Sequence, residues 1–499
     1  MQRAADGGRV SCVYLDGSAA QPTAESPADI LALLGDRSTL ARRPDFRVQQ
    51  ATSTGELSDY RRLRRDAFVH EQGLFAGHDL DDRDADARTV VLVAKDRDGT
   101  VVGGVRLGPV DDGPDLGWWQ GGRLVVARRA GRHGIGAALV RAACARAEAE
   151  GVLRFDATVQ VRGEVLFTRL GWRSVREITV ADMPHVLMRW PIGRIAAQVA
   201  ATKSALGPLL AAFHGAAGLV DGRAALGGAG FVGDDGASVP GTDVIAACDA
   251  IVPSMVERDP EWAGWCSVLV NVNDLAAMGA SPIGLLDAVG AKDAAHIRRI
   301  LAGLGRASEA YGVPVLGGHT QLGVPAALSV TALGRTDRPV PGGGGRPGHT
   351  VRLTADLGGG WRTGYRGRQW DSSSHRRTDE LRAMTGAVAA VRPAAAKDVS
   401  MAGIAGTLGM LAEASGCGAV LDMAAVPRPR GTAMGDWLTC FPGFAMLTTD
   451  GPGAAPLPAG PATDAVCGEL TTGQGVGLRW PDGEITEAVA GPVTGMGTA

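Results

Sequence analysis

The sequence predicts a multidomain protein of the α/β and α+β classes, and three observations carry that expectation. Its 499 residues exceed what one ordinary core organises, so two to four domains are expected. Short β-branched runs such as Thr89–Ala94 alternate with stretches of helical periodicity such as Leu139–Ala147. Two breaks rich in Pro and Gly, at Pro191–Gly193 and Pro339–Gly348, divide the chain.

Residues 1–44 are rich in Ala, Ser, Pro, Asp and Gly and read as a loosely ordered arm. A first folded unit is expected over 45–192. Phe46–Gln49 alternates as a strand, and Leu57–Phe68 has apolar residues at helical spacing. Strands follow at Thr89–Ala94, Val101–Leu107 and Leu124–Val126. Leu139, Val140, Ala143, Cys144 and Ala147 then fall on one helical face, opposite Arg141, Arg146, Glu148 and Glu150. Phe155–Val161, Leu166–Trp172 and His185–Trp190 complete the unit. A second unit is expected over 193–340. The run Gly342–Gly345 reads as a linker, because neither a Lys nor a helix follows it as a phosphate loop requires. The third unit, 341–499, has a helix at Ala402–Ala414 closed by Gly416, with strands near Ala419–Met423 and Gly443–Thr448.

Composition narrows the function classes. Lys+Arg is 50 against Asp+Glu 53, a formal net charge of -3, which argues against nucleic acid and anionic membranes as partners. No run of 18 apolar residues occurs, and Met1–Val10 is not followed by the apolar core of a leader, so no membrane span is expected. The seven cysteines are scattered without a C-x-x-C pair, as expected of core residues in a reducing cytoplasm.

Val125–Leu139 reads as strand, basic turn, glycines and helix. Gly134 and Gly136 let backbone approach an anion, and the positive end of a helix starting near Gly136 attracts phosphate. Arg128, Arg129 and Arg132 add charge; a solvated basic turn fits the local pattern equally well. The region from about Phe46 to Trp190 resembles the GNAT family of acetyltransferases. Gly134-Ile-Gly136 matches the glycines of its R/Q-x-x-G-x-G/A turn, with Gly131 at the first position. Val165–Trp172 is similar to its late helix, with Thr168 where many members carry a Tyr acid. Arg64–Gly73 resembles the R-x-x-x-F-x-x-E-Q segment of a subgroup. The resemblance implies acetyl-CoA held by Val125, Val126, Arg129, Arg132, His133, Gly134, Ile135 and Gly136. It also places Glu71 as the base for an amine acceptor, against the alternative that Glu71 caps a helix or lies in solvent.

Farther on, acids stand where strands end: Gly233–Ala237 (G-D-D-G-A), Ala247–Asp249, Val270–Ala280 and Lys397–Gly403. Converging carboxylates suit Mg²⁺ held against nucleotide phosphates. Each also has a structural reading, with Asp234 and Asp235 forming a turn, Asp274 capping a helix over Leu275–Met278, and Ser400 capping the next helix. Their order resembles the AIR synthase superfamily from about Ala196 onward. Asn271–Gly279 is similar to its N-x-S-D-I-A-A-M-G segment, Leu316–Thr320 to G-G-D/H-T, and Asp398–Ser400 to the start of D-I-S-D, where Met401 replaces the second acid. The resemblance implies ATP and Mg²⁺ in a cleft made largely at a homodimer interface. Asp234, Asp235, Asp249, Asp274 and Asp398 are then metal or phosphate ligands, with Gly317, Gly318 and Thr320 near the nucleotide. The pair resembles two bacterial families found near nitrilase genes, one with a nitrogen-starvation acetyltransferase label. The expectation is a cytoplasmic bifunctional enzyme acting on small molecules; a nucleotide-gated acetyltransferase or a dimeric scaffold with degenerate sites are the alternatives.

Overall fold

A computed structural model describes residues 45–128, 134–213, 226–228 and 230–499. The first unit contains β1 (Phe46–Gln50), α1 (Thr54–Arg65), β2 (Val90–Asp96), β3 (Val101–Pro109), β4 (Trp118–Val126), α2 (Ile135–Ala149), β5 (Arg154–Gln160), α3 (Glu164–Arg169), β6 (Arg173–Val180) and β7 (Met183–Trp190). A capping box starts α1: Ser53 Oγ accepts from the Glu56 N–H, and Glu56 returns the contact to the Ser53 N–H. The strands form one sheet in the order β1-β2-β3-β4-β5-β7-β6. β4 and β5 are parallel and pair only between Trp118–Gly121 and Arg154–Ala157. Beyond that point β4 pairs only with β3, and β5 only with β7, so the sheet opens as a wedge. The expected apolar face of α2 is buried on this sheet.

After β7, α4 (Arg194–Thr202) leaves the sheet. The helical stretch Arg194–Phe213 is apolar and long enough to pass a membrane-span test by length and composition. It is interrupted at Lys203–Ala205, and Ile195 and Val199 pack into the core of the third unit. Only 17 % of the apolar window is buried, and one such stretch by itself is weak evidence for a span.

The second unit is a five-stranded sheet of β8 (Ala237–Ser238), β9 (Val244–Ala250), β10 (Ser281–Ala291), β11 (Val315–Leu322) and β12 (Ala327–Arg335), in the order β11-β10-β12-β9-β8. α5 (Pro260–Ala277) and α6 (Ala294–Tyr311) join this unit's apolar core. Asp274 does not cap a short helix. It lies in the last turn of α5, a helix buried on nearly every side and therefore without a polar stripe to mark its length. All eight residues of the edge strand β11 are exposed, and so are Ile283 and Leu286 of β10.

In the third unit a seven-stranded sheet runs Ala395–Asp398, Ala445–Asp450, Thr350–Ala355, Thr463–Thr471, Gly418–Asp422, Val476–Arg479 and Ile485–Val489 across its width. α7 (Gly403–Ala414) packs on it, with Ala402 rather than Ser400 at its N-cap. Gly342–Gly345 is no loose linker: it is a packed seam between the second and third units. A Cβ at Gly344 would overlap the Ala394 carbonyl oxygen, so only glycine fits there, and one at Gly342 would press on Asp234 Oδ1 at 2.6 Å.

The first unit is fastened to the third. Arg154, 1 % exposed, donates from Nε to Asp156 and from its Nη atoms to Asp482 and Glu484. Arg189 joins Asp156 to Glu484, and the Arg154 guanidinium lies 3.9 Å from the centroid of the Trp118 ring.

Candidate functional site

Two sites emerge. The first is the wedge between β4 and β5, a cavity of about 500 Å³. Gly121 and Gly122 of β4, Phe155 and Ala157 of β5, and Phe68 and Phe75 from the chain after α1 are among its walls. A Cβ at Gly122 would meet nothing within 4 Å, so the absent side chain leaves space in the cleft. Just past Val126, Gly134 takes a left-handed conformation (φ 71°) as the N-cap of α2 and offers no side-chain cap. Among the described residues no side chain caps the first N–H groups of α2, which suits them to an anion, and Val125 and Val126 precede the turn. Arg129 and Arg132, with His133, lie outside the described residues. The uncapped helix start suits an anion, and the open cleft beside β4 leaves room for an extended ligand, features that fit acetyl-CoA.

Glu71 ends a π-helical turn, Asp66–Glu71, that continues α1. It is exposed, pairs with Arg128 at 3.0 Å, and is not among the residues lining the wedge. His185 of β7, which the sequence reading did not single out for a role, does line it and is 7 % exposed. Its Nδ1 is 2.9 Å from the Met183 carbonyl oxygen. A carbonyl only accepts, so in the neutral ring Nδ1 carries the proton and Nε2 the lone pair. Among the described residues Nε2 has no hydrogen-bond partner, and it is not sealed in the interior.

The second site is acidic. Oxygens of Asp235, Asp274 and Asp398 lie within 4.8 Å of one another. Asp235 arrives from the turn before β8, Asp274 from the end of α5, and Asp398 from the end of the strand Ala395–Asp398. Lys397 Nζ bridges Asp234 and Asp235 at 3.0 and 2.9 Å, and the Asp398 N–H donates to Asp235. Asp234 is turned aside, accepting also from the Gly342 N–H at 2.6 Å. Burial, reinforced by the neighbouring carboxylates, pushes Asp274 and Asp398 well above the usual aspartate range. Burial likewise raises Asp235 and Asp249. Asp249 stands beside the three, its N–H donating to Asn271 Oδ1. Lys397 is the one cation ion-paired to this group among the described residues, so negative charge is in excess. An oxygen-only donor set with uncompensated charge fits a hard divalent cation. Gly317, Gly318 and Thr320 lie on the exposed strand β11, where Gly318 pairs in register with Asp287.

The Acetyltransferase (GNAT) family matches residues 57–172. The AIR synthase related protein N-terminal domain matches 233–336, and its C-terminal domain 346–478. The uncharacterized protein sll0787 of Synechocystis sp. is 36% identical over 225 residues, 43% of this chain and 69% of that protein. The chain belongs to the AIR synthase-related family, with a GNAT domain ahead of it. The thiamine-monophosphate kinase of Methanocaldococcus jannaschii is 36% identical over 113 residues, 22% of this chain and 34% of that protein. The crystal structure of thiamine monophosphate kinase from Aquifex aeolicus overlays with a TM-score of 0.40 at 20% identity, covering 51% of this chain and 92% of that one. The wedge and α2 thus belong to the GNAT domain. The acidic triad joins the two AIR synthase-related domains, since Asp235 and Asp274 fall in the N-terminal match and Asp398 in the C-terminal one.

Proposed function

We propose a bifunctional enzyme in which the GNAT domain moves an acetyl group from acetyl-CoA to an amine, and the AIR synthase-related domains use ATP with Mg²⁺ to activate a small metabolite. The observation that carries the first half is the uncapped start of α2, the helix whose Val140 and Ala143 line the β4–β5 wedge. The second half rests on the triad Asp235, Asp274 and Asp398. These three residues would hold the metal, with Asp234 and Lys397 setting their geometry and Asp249, Gly317, Gly318 and Thr320 facing the nucleotide. The ion would supply positive charge against the phosphates. The buried free thiols Cys144, Cys266, Cys417, Cys440 and Cys467 suit a reducing cytoplasm.

Acetyl-CoA supplies the activated acyl group; the chain must align the amine and remove its proton, because an ammonium has no lone pair. His185 suits this role better than Glu71, since it lines the cavity with an unpartnered acceptor nitrogen while Glu71 is ion-paired outside. We expect His185→Asn to lower kcat roughly 100-fold. Glu71→Gln should change kcat less than about threefold. Thiol release in steady-state assays checks both, and the reverse pattern would return the role to Glu71.

The bare side of the five-stranded sheet suits a second copy of the chain, since an edge strand with Leu316 and Leu322 exposed otherwise remains unpaired. Leu316→Glu with Leu322→Glu should convert a dimer to a monomer in light scattering after gel filtration. A second reading, in which nucleotide binding gates acetylation, is favoured by the links from Asp482 and Glu484 of the third unit to Arg154 of β5. ATP raising acetylation without being consumed supports it.

A further inference from the structure

The charges around the wedge do not balance. Asp79, Asp81 and Asp84 sit between β3, β4 and the end of α1, bound to three guanidinium groups. Arg64 pairs with Asp79 at 2.7 Å and Asp84 at 2.5 Å. Arg106 pairs with Asp81 at 2.6 Å and Asp84 at 2.7 Å. Arg123 reaches Asp79 at 3.3 Å and Asp81 at 3.1 Å. Three acids against three cations close this network.

Arg83 stands outside it. It lines the same cavity, is partly buried, and forms no ion pair with any described residue. Its guanidinium makes one side-chain hydrogen bond, from Nη2 to the Val110 carbonyl at 3.3 Å. Burial, and then the neighbouring Arg106, hold its pKa down, while Asp81, Asp111 and Asp112 act on it only through space. A guanidinium does not give up its proton in a protein, so this charge is left without the partner its burial calls for.

The position of Arg83 says which ligand fills the gap. Val110 donates its N–H to the Trp118 carbonyl, which puts the Arg83 guanidinium level with the start of β4. The anion-binding start of α2 follows Val126 at the other end of that strand, roughly 25 Å away at a strand's rise per residue. At that separation phosphates bound at α2 would leave Arg83 unpaired, and the acetyl group carries no charge. The missing negative charge must arrive with the acceptor.

We infer that the acetyl acceptor is an amine that also carries a carboxylate, the chemistry of a free amino acid, and that Arg83 binds the carboxylate. Of the two cavity guanidiniums without an ion pair among the described residues, Arg162 is exposed to solvent and Arg83 is partly buried, and a guanidinium fork matches a carboxylate in two parallel hydrogen bonds. The inference rests on the acetyltransferase reading of this domain and deepens it by naming the substrate class.

The test uses the full chain, acetyl-CoA, and matched pairs of free amino acids and their carboxamides, with spermidine as a cationic acceptor. Acetyl-CoA binding is measured separately by calorimetry. We expect free amino acids to be acetylated with kcat/KM at least tenfold above their amides. Arg83→Gln should lower kcat/KM for the carboxylates by roughly 10- to 100-fold, mainly through KM, and leave the amides unchanged. Arg83→Lys, which keeps the charge, should recover part of the loss, which a merely structural role for Arg83 would not predict. Preference for amides or spermidine, acetylation of none of the panel by a chain that binds acetyl-CoA, or an equal loss on both members of a pair would overturn the carboxylate assignment while the acetyltransferase reading stands. Failure to bind acetyl-CoA would overturn both.

Discussion

Asp274→Asn should strongly weaken Mg²⁺-dependent nucleotide binding and, in the same protein, stabilise the metal-free state. Asp274 is 8 % exposed and Asp398 3 %, and with Asp235 they crowd their oxygens within 4.8 Å. Burial first, then the charges of Asp398, Asp249 and Asp235, push the Asp274 carboxyl well above its ordinary value of 3.8. For a carboxyl raised on folding, the folded state binds the proton more tightly than the unfolded chain. Its contribution to stability is therefore present at low pH and is lost as pH rises from the unfolded value through the folded one. Without metal the wild-type chain should lose stability across that window, and Asn, which carries no charge, should flatten the slope. With metal the ranking inverts, because the amide is a weaker ligand and the site loses one of three anionic donors. Nucleotide affinity in the presence of Mg²⁺ should fall by about 100-fold. Calorimetric titration with a non-hydrolysable ATP analogue, and melting curves in chelator between about pH 5 and pH 8, read the two effects separately. A destabilised variant that still binds nucleotide would make the triad a structural feature.

Much of this site was legible because acids at strand ends are quoted in local motifs. The part that was not legible depends on contacts across the chain. Lys397 sits next to Asp398 in sequence, yet its role is to bridge Asp234 and Asp235, more than 160 positions earlier. The helix carrying Asp274 was read as four residues rather than the 18 of α5, because a helix buried all round has no polar stripe to reveal its period. Strand β6 was missed for the opposite reason: it is an exposed edge strand carrying Arg173, Arg176 and Glu177, and its pairing with β7 is what defines it. In the GNAT domain the amphipathic α2 and the turn before it were plain from local pattern. The segment around Glu71 matched a motif, but a motif does not say toward which side a π-helical turn aims its last residue. His185 becomes conspicuous only when β7 is laid beside β5 and Gln160 comes opposite it.

Replacing Arg154 should have a large effect on stability, because its guanidinium, alongside that of Arg189, bridges two domains across more than 300 positions of sequence. Arg154 and Asp156 are 1 % and 2 % exposed, whereas about a quarter of the Asp482 and Glu484 side chains reaches solvent. Arg154→Met keeps much of the volume against Trp118 and Trp480 but leaves Asp156 with Arg189 and the Trp118 N–H alone. Breaking a buried pair from one side costs about 3–5 kcal/mol, and the partial exposure of the two distal acids puts the expected loss near ~3 kcal/mol. The interface has its own pH signature. The hydrogen bond from Arg189 holds Glu484 below its ordinary value of 4.5. A carboxyl lowered on folding gives stability that is present above the unfolded value and is lost as pH falls through the folded one, so acid should weaken the wild-type contact. In scanning calorimetry at neutral pH, Arg154→Met should split unfolding into two transitions, the GNAT domain melting first. The consequence reaches function, because Asp156 stands opposite Gln120 within the short stretch where β4 and β5 still pair before the wedge opens. If the contact sets the width of that wedge, acetyl-CoA affinity falls in Arg154→Met and partly returns in Arg154→Lys, whose single ammonium reaches fewer of the three acids. A variant with one transition and unchanged acetyl-CoA affinity would show that the two domains are joined without being coupled.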